Sequence, residues 1–166
     1  MQGPTPISTQ TDATGQYALA GLGQTNLQIE PTMRGVLGGS ITALDATVAL
    51  QAAVGQTTLD AQQQLACDVN GDGVVTAFDA VLILQYASGL ISAFPVAQSC
   101  GSDFAFVPIP GPASNQQLIQ PVVGSVSCQP GAIVFGPLAG TASGQDFSAV
   151  LFGDCRANTQ PTVVAP

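Results

Sequence analysis

The chain has no lysine, no histidine and no tryptophan, and Glu30 is its only glutamate. Arg34 and Arg156 are the only basic side chains against ten acidic ones, giving a net charge of -8 over 166 residues. Without clustered cations nothing neutralises phosphates, so no nucleic-acid partner is expected, and anionic membrane surfaces repel such a chain. The absence of histidine removes the commonest general base, and no Ser or Cys nucleophile has a recognisable partner, which points away from an enzyme. A pair of aspartates could serve a glycosidase in principle, but most of them are claimed by a loop described below or by turns such as those at Asp12 and Asp103. No apolar run approaches the length that spans a bilayer, so no membrane insertion is expected. The opening Met1-Gln-Gly-Pro lacks the basic and apolar regions of a signal peptide, and a mature form or a fragment is the expectation.

Charge of either sign is scarce, at 7% of residues, whereas Gly, Pro, Ser, Thr and Gln are plentiful. Polarity without charge, spread between β-branched residues, suits a turn-rich β protein at an extracellular or cell-surface location. Cys67, Cys100, Cys128 and Cys155 form no C-x-x-C pair and have no histidine beside which to build a zinc site. Their even number and wide spacing favour disulfides in an oxidising compartment, with free buried thiols as the alternative. Three pairings are open. The preferred one joins Cys67 to Cys100, which bracket the loop and its exit helix, and Cys128 to Cys155 within the C-terminal β region.

The richest segment is 68–79, DVNGDGVVTAFD, which sets oxygen-bearing side chains at positions one, three, five, nine and twelve, with glycine at six. Calcium takes six to eight hard oxygen ligands, and a twelve-residue loop supplies them by wrapping around the ion. Asp68, Asn70 and Asp72 would give side-chain oxygens, Val74 its carbonyl, Thr76 a contact through water and Asp79 a carboxylate from the next helix. Gly73 allows the sharp turn, because a residue without Cβ reaches positive φ cheaply. A polar turn capped by Thr76 is the competing reading, although turn chemistry needs no third carboxylate.

The pattern is duplicated. A shift of 34 residues (76 minus 42) lays Thr42, Ala43, Asp45, Ala46, Leu50, Gln51, Ala53 and Gly55 on identical residues. In this first copy the positions equivalent to Asp68, Asn70 and Asp72 are Arg34, Val36 and Gly38, which offer no side-chain acceptor. Thr42 and Asp45 persist, and Thr-x-x-Asp is also a capping-box helix start that needs no metal. One calcium site is expected, with the degenerate first loop doubtful.

Two loop-helix repeats joined by a short helix, with Asp at loop position twelve, resemble the dockerin module over about residues 33–95. The resemblance implies calcium binding, a pseudo-twofold pairing of the repeats, and contact with a cohesin partner through loop positions ten and eleven. Those positions are Ala43 with Leu44 and Ala77 with Phe78, where dockerins often carry Ser or Thr. The bland expectation for Leu44 and Phe78 is core packing.

The flanks read as strands. Residues 16–22 and 26–30 alternate around a Gly-Gln-Thr turn, and 104–107, 117–123, 125–128, 132–135 and 147–152 are β-rich segments separated by Pro or Gly. The phrases TDATGQYALAGL and GQDFSAVLFGD resemble carboxypeptidase-regulatory-like β-sandwich modules of secreted bacterial proteins. The expected fold is α+β: a discontinuous sandwich, Ig-like or prealbumin-like, from 1–32 and 96–166, with a dockerin-like insert at 33–95. Pro31 and Pro95 punctuate the junctions, and Gly89 ends the last long helix. The competing layout places a separate domain after the helical unit.

Function then reduces to association. The favoured expectation is a calcium-stiffened structural module that forms a fibre or surface assembly, a homo-polymer built by strand addition through the extended segment 3–14. The alternative is a dockerin that anchors a larger secreted protein to a cohesin-bearing scaffold.

Overall fold

Thr42 and Thr76 start two helices in the same way. Each hydroxyl accepts a bond from the backbone N–H two residues on, and each aspartate three residues on returns a carboxylate to the threonine N–H, closing a capping box. The helices that follow, α1 (Ala43–Ala53) and α3 (Ala77–Ala87), have eleven residues each and are offset by the 34 residues of the sequence repeat. Each ends before a glycine in the left-handed region, Gly55 at φ 73° and Gly89 at φ 75°. The computed structural model describes residues 6–35, 39–124, 127–157 and 162–163.

The repeat is longer than the sequence identities reveal. Helix α2 (Ala61–Cys67) follows α1, and α4 (Pro95–Cys100) follows α3 at the same offset (95 minus 61 is 34). Asp60 caps α2 through its side chain, whereas α4 begins with Pro95 at a first-turn position, where its missing N–H costs nothing. Pro95, expected to mark a junction, therefore opens a helix.

Six strands are described: β1 (Leu27–Ile29) before the helices, then β2 (Phe104–Pro108), β3 (Gln116–Ile119), β4 (Ala132–Phe135), β5 (Phe147–Leu151) and β6 (Thr162–Val163). They form two antiparallel sheets, β1-β4-β3 and β2-β5-β6. The class is α+β. In the first sheet Leu27 faces Phe135 and Ile29 faces Ile133, so a strand before the helical unit is paired with one far beyond it. In the second, Phe104 faces Leu151 and Pro108 faces Phe147.

Three strand expectations are corrected. Segment 16–22 contributes only a bridge at Gln16, because Gly21 at φ 74° breaks the extended run and Tyr17 is drawn aside to donate its hydroxyl to the Gln145 carbonyl. Segment 117–123 stops as a strand at Ile119 and resumes as an isolated bridge between Val122 and Gln129. Of 125–128, Ser125 and Val126 lie outside the described residues, and Cys128 is not in a strand. The short β6 was not anticipated.

One core runs through both parts. Ala49 of α1, Ile83 of α3, Phe94, Val96 and the ring-bearing strands, Phe104, Phe106, Phe135 and Phe147, belong to a single buried cluster. Phe106 and Phe147 meet edge-on at 6.5 Å, and Tyr86 stacks on Phe94 at 4.6 Å. Backbone bonds stitch the same boundary: Gly153 N–H donates to the Ala66 carbonyl at 2.7 Å, and Asp103 N–H to the Met33 carbonyl at 2.8 Å. No described helix is long and apolar enough to cross a membrane.

Candidate metal centre and the helical face

Asp68 is the C-cap of α2, so the loop leaves the helix at its first candidate ligand. Its carboxylate gathers the loop around itself: Oδ1 accepts from Gly71 N–H at 2.9 Å and Asp72 N–H at 3.2 Å, and Oδ2 from Gly73 N–H at 2.8 Å. Gly73 sits at φ 88°, as the turn requires. Asn70 Oδ1 accepts from Asp72 N–H, and Asp72 Oδ1 from Val74 N–H. At the far end, Asp79 closes the loop by accepting from Asn70 N–H at 3.2 Å and from Thr76 N–H and hydroxyl at 2.9 and 3.0 Å. All six sequence-selected residues therefore lie in one tightly wound loop, with Asp68 and Asp79 buried and Asp72 and Val74 at its exposed rim.

The donor set suits a hard cation. Every candidate ligand is oxygen, which fits calcium and suits softer metals poorly. Burial raises the Asp68 carboxyl above its ordinary value; the Gly73 N–H opposes this, and the negative charge of Asp79 adds to it. One loop thus holds two buried carboxylates, while the arginines are engaged elsewhere: Arg34 with Asp103 at 3.4 Å and Arg156 with Asp45 at 3.2 Å. Asp68 and Asp79 each accept three bonds, within the roughly four lone-pair positions of a carboxylate. Among the described residues no three His, Cys, Asp or Glu side chains are drawn into one cluster, and Asp72 Oδ2 instead takes the Asn70 amide at 2.8 Å. The residues fit calcium by donor chemistry and loop winding.

The first repeat differs at one atom. Asp45 Oδ2 accepts from Thr42 N–H and hydroxyl at 2.9 Å, as Asp79 Oδ2 does from Thr76, but Asp45 Oδ1 accepts from Arg156 N–H at 3.3 Å and Nε at 3.2 Å. The Arg156 Nη2 also stands 3.5 Å from the Thr42 hydroxyl. Sequence reasoning missed this partnership, which spans 111 residues; the scarcity of cations was the only available hint. Val36 and Gly38 of the first loop lie outside the described residues.

The disulfide expectation is overturned. Cys67 is bonded to Cys155 and Cys100 to Cys128. The cause is the shared core: α2 packs on the β5 side of the molecule, where Gln63 Nε2 donates to the Cys155 carbonyl at 3.2 Å, so Cys67 ends beside Cys155. Each short helix ends in a cysteine tied to the C-terminal β region.

The docking positions are also corrected. Leu44 and Phe78 are each 58% exposed instead of core. The buried face runs through Asp45, Ala46 and Ala49 in α1 and Asp79, Ala80, Leu82 and Ile83 in α3, so the residue just before each aspartate points outward. Leu50 and Leu84, equivalent in the two repeats, are exposed as well, and so are Val54 and Val81.

Residues 38–87 match the family model of the dockerin type I domain, whose members bind calcium and interact with other proteins. No curated protein and no solved structure matches the chain. The helical unit, about the central third of this chain, is thus similar to dockerin type I domains.

Proposed function

We propose that the chain is a calcium-stabilised, non-catalytic docking module of an extracellular or cell-surface protein, engaging its partner through the outer face of α1 and α3. The metal is held once, by Asp68, Asn70, Asp72, the Val74 carbonyl, Thr76 through water, and Asp79. Its role is to neutralise the buried pair of carboxylates and to fix the start of α3, from which Phe78 projects. The two disulfides agree with an oxidising location. The pairing of β1 with β4 supports the discontinuous layout, a β-sandwich from 1–32 and 96–166 around an insert at 33–95, which α4 extends to Cys100.

The observation that carries this reading is the two exposed apolar pairs at equivalent positions of the repeats, Leu44 with Phe78 and Leu50 with Leu84. A monomer gains nothing by duplicating an unburied apolar row, whereas a partner covering it gains apolar burial of about 25 cal/mol per Å². With Ala, Leu and Phe where hydroxyl side chains are common, the complementary surface is apolar, and the natural candidate is a cohesin-like domain. Surface plasmon resonance against cohesin domains tests this. Binding in calcium that is lost in chelator, and weakened about tenfold or more in Phe78→Ser, is expected; equal binding by Phe78→Ser removes the face from the reading.

A second reading, self-association into a filament by strand addition, is favoured by a separate observation. Residues 6–14 are exposed and carry no strand, while β1 and β3 form the two edges of their sheet among the described residues. An exposed segment without a strand partner, running up to the turn at Asp12–Gln16, and an open edge complement one another. Deleting residues 1–14 should abolish long assemblies in electron micrographs and leave a folded monomer; a full-length chain that stays monomeric at high concentration in calcium would end this reading.

A further inference from the structure

We propose that Arg156 takes the place of the metal in the first repeat, so that a fold with two cation seats fills one with an ion and the other with its own guanidinium. The inference rests on the calcium reading of the loop at 68–79. It starts from two carboxylates that the repeat makes equivalent. Asp45 and Asp79 stand 34 residues apart, both are fully buried, and both spend Oδ2 on the capping threonine three residues earlier. In each, Oδ1 is left for a different partner. Asp79 Oδ1 accepts from Asn70 N–H at 3.2 Å, within the loop that carries the other candidate ligands. Asp45 Oδ1 meets Arg156, through Nε at 3.2 Å and the backbone N–H at 3.3 Å.

The guanidinium reaches two of the loop positions that a calcium ion would use. Asp45 is position twelve, and Thr42, with Arg156 Nη2 3.5 Å from its hydroxyl, is position nine. A buried carboxylate left without a cation carries a large desolvation cost, and a planar, permanently charged donor removes it. The sequence of the first loop agrees, since Arg34, Val36 and Gly38 supply no acceptor for a metal. Arg34 is spent on Asp103.

Arg156 is also tethered through its neighbour in the chain. It follows Cys155, whose disulfide partner Cys67 immediately precedes Asp68, the first ligand position of the metal loop. The two cation seats are therefore joined through one covalent bridge. One seat empties in chelator and the other cannot. Calcium then controls the Phe78 end of the docking face, while the Leu44 end is set permanently.

Hydrogen exchange of the unmodified protein tests the first consequence. Chelation should raise exchange of amides in 68–80 by roughly tenfold or more and leave the first turn of α1 protected; loss of protection in both turns together overturns the proposal. Melting in saturating calcium tests the pair itself. Arg156→Gln should lower Tm by about 10 °C with one calcium still bound, and Asp45→Asn/Arg156→Gln should regain at least half of that loss. An Arg156→Gln variant melting within about 2 °C of the parent, additive losses, or a double variant that does not fold would each overturn it. Should chelation change nothing in exchange, the calcium reading fails, and the melting series still decides the role of Arg156.

Discussion

Asp68 illustrates how one side chain can organise a loop and depend on an ion. It orients three loop N–H groups and is buried near a second carboxylate, so folding without a cation carries an electrostatic cost. Replacing Asp68 or Asp79 with Ala should abolish the calcium-dependent gain in Tm, which a single site at one hundred times its Kd sets at about 5 to 10 °C for a chain of this size; calorimetric scans in calcium and chelator measure it. The pH dependence follows from the raised Asp68 carboxyl. In chelator the folded chain holds that proton more tightly than the unfolded chain does, so this group's contribution to stability rises as pH falls through the raised value toward the ordinary value of 3.8. In calcium the ion competes with the proton, and affinity should weaken over the same window. Titration calorimetry across that range checks both signs, and an affinity independent of acidification would contradict them.

At the scale of elements, the two long helices were legible because their signals are local. Thr42 with Asp45 and Thr76 with Asp79 mark the starts, Gly55 and Gly89 the ends, and the loop between α2 and α3 names its own chemistry over twelve consecutive residues. The strands within 26–30, 104–107, 132–135 and 147–152 were likewise legible, as short β-rich runs set off by turn residues, AIVF between Gly and Pro being the plainest. The rest depended on contacts between distant parts of the chain. Nothing near Cys67 reveals that α2 packs beside the β5 strand, and nothing near Arg156 reveals Asp45, so the disulfides and the ion pair were not readable. Helix α4 escaped notice because it shares position, but few side chains, with α2. One tight joint between elements is Gly153, at φ 92°, where an added Cβ would collide with the Phe94 ring. Gly153→Ala should therefore destabilise the fold by about 1 to 3 kcal/mol, read as a lower denaturant midpoint, whereas alanine at Gly55, with open space around it, bears only the φ penalty.

For the whole molecule, the disulfides decide how the helical unit and the sheets cooperate. Peptide mapping without reduction should recover Cys67 with Cys155 and Cys100 with Cys128. In the chain-entropy picture, separations of 88 and 28 residues stabilise by about 4 to 5 and 3 to 4 kcal/mol. Removing Cys67 and Cys155 together should be the more damaging change, and it should also loosen the calcium loop that begins one residue later. Equal melting of the two double-cysteine variants would show that the longer bridge does not couple the parts.

That longer bridge has a mechanical consequence. A pull applied to the two ends of this chain passes from the N-terminal side into Cys67, crosses to Cys155 and leaves, bypassing everything between them. The 88-residue separation withholds about 300 Å of extension, at roughly 3.3 to 3.6 Å per residue. The loop at 68–79, α3 and four of the six strands lie inside that protected stretch, while α1 and β1 lie outside it. Under tension the chain should therefore yield first at its N-terminal third and keep its calcium, and single-molecule stretching should show the missing length only after reduction.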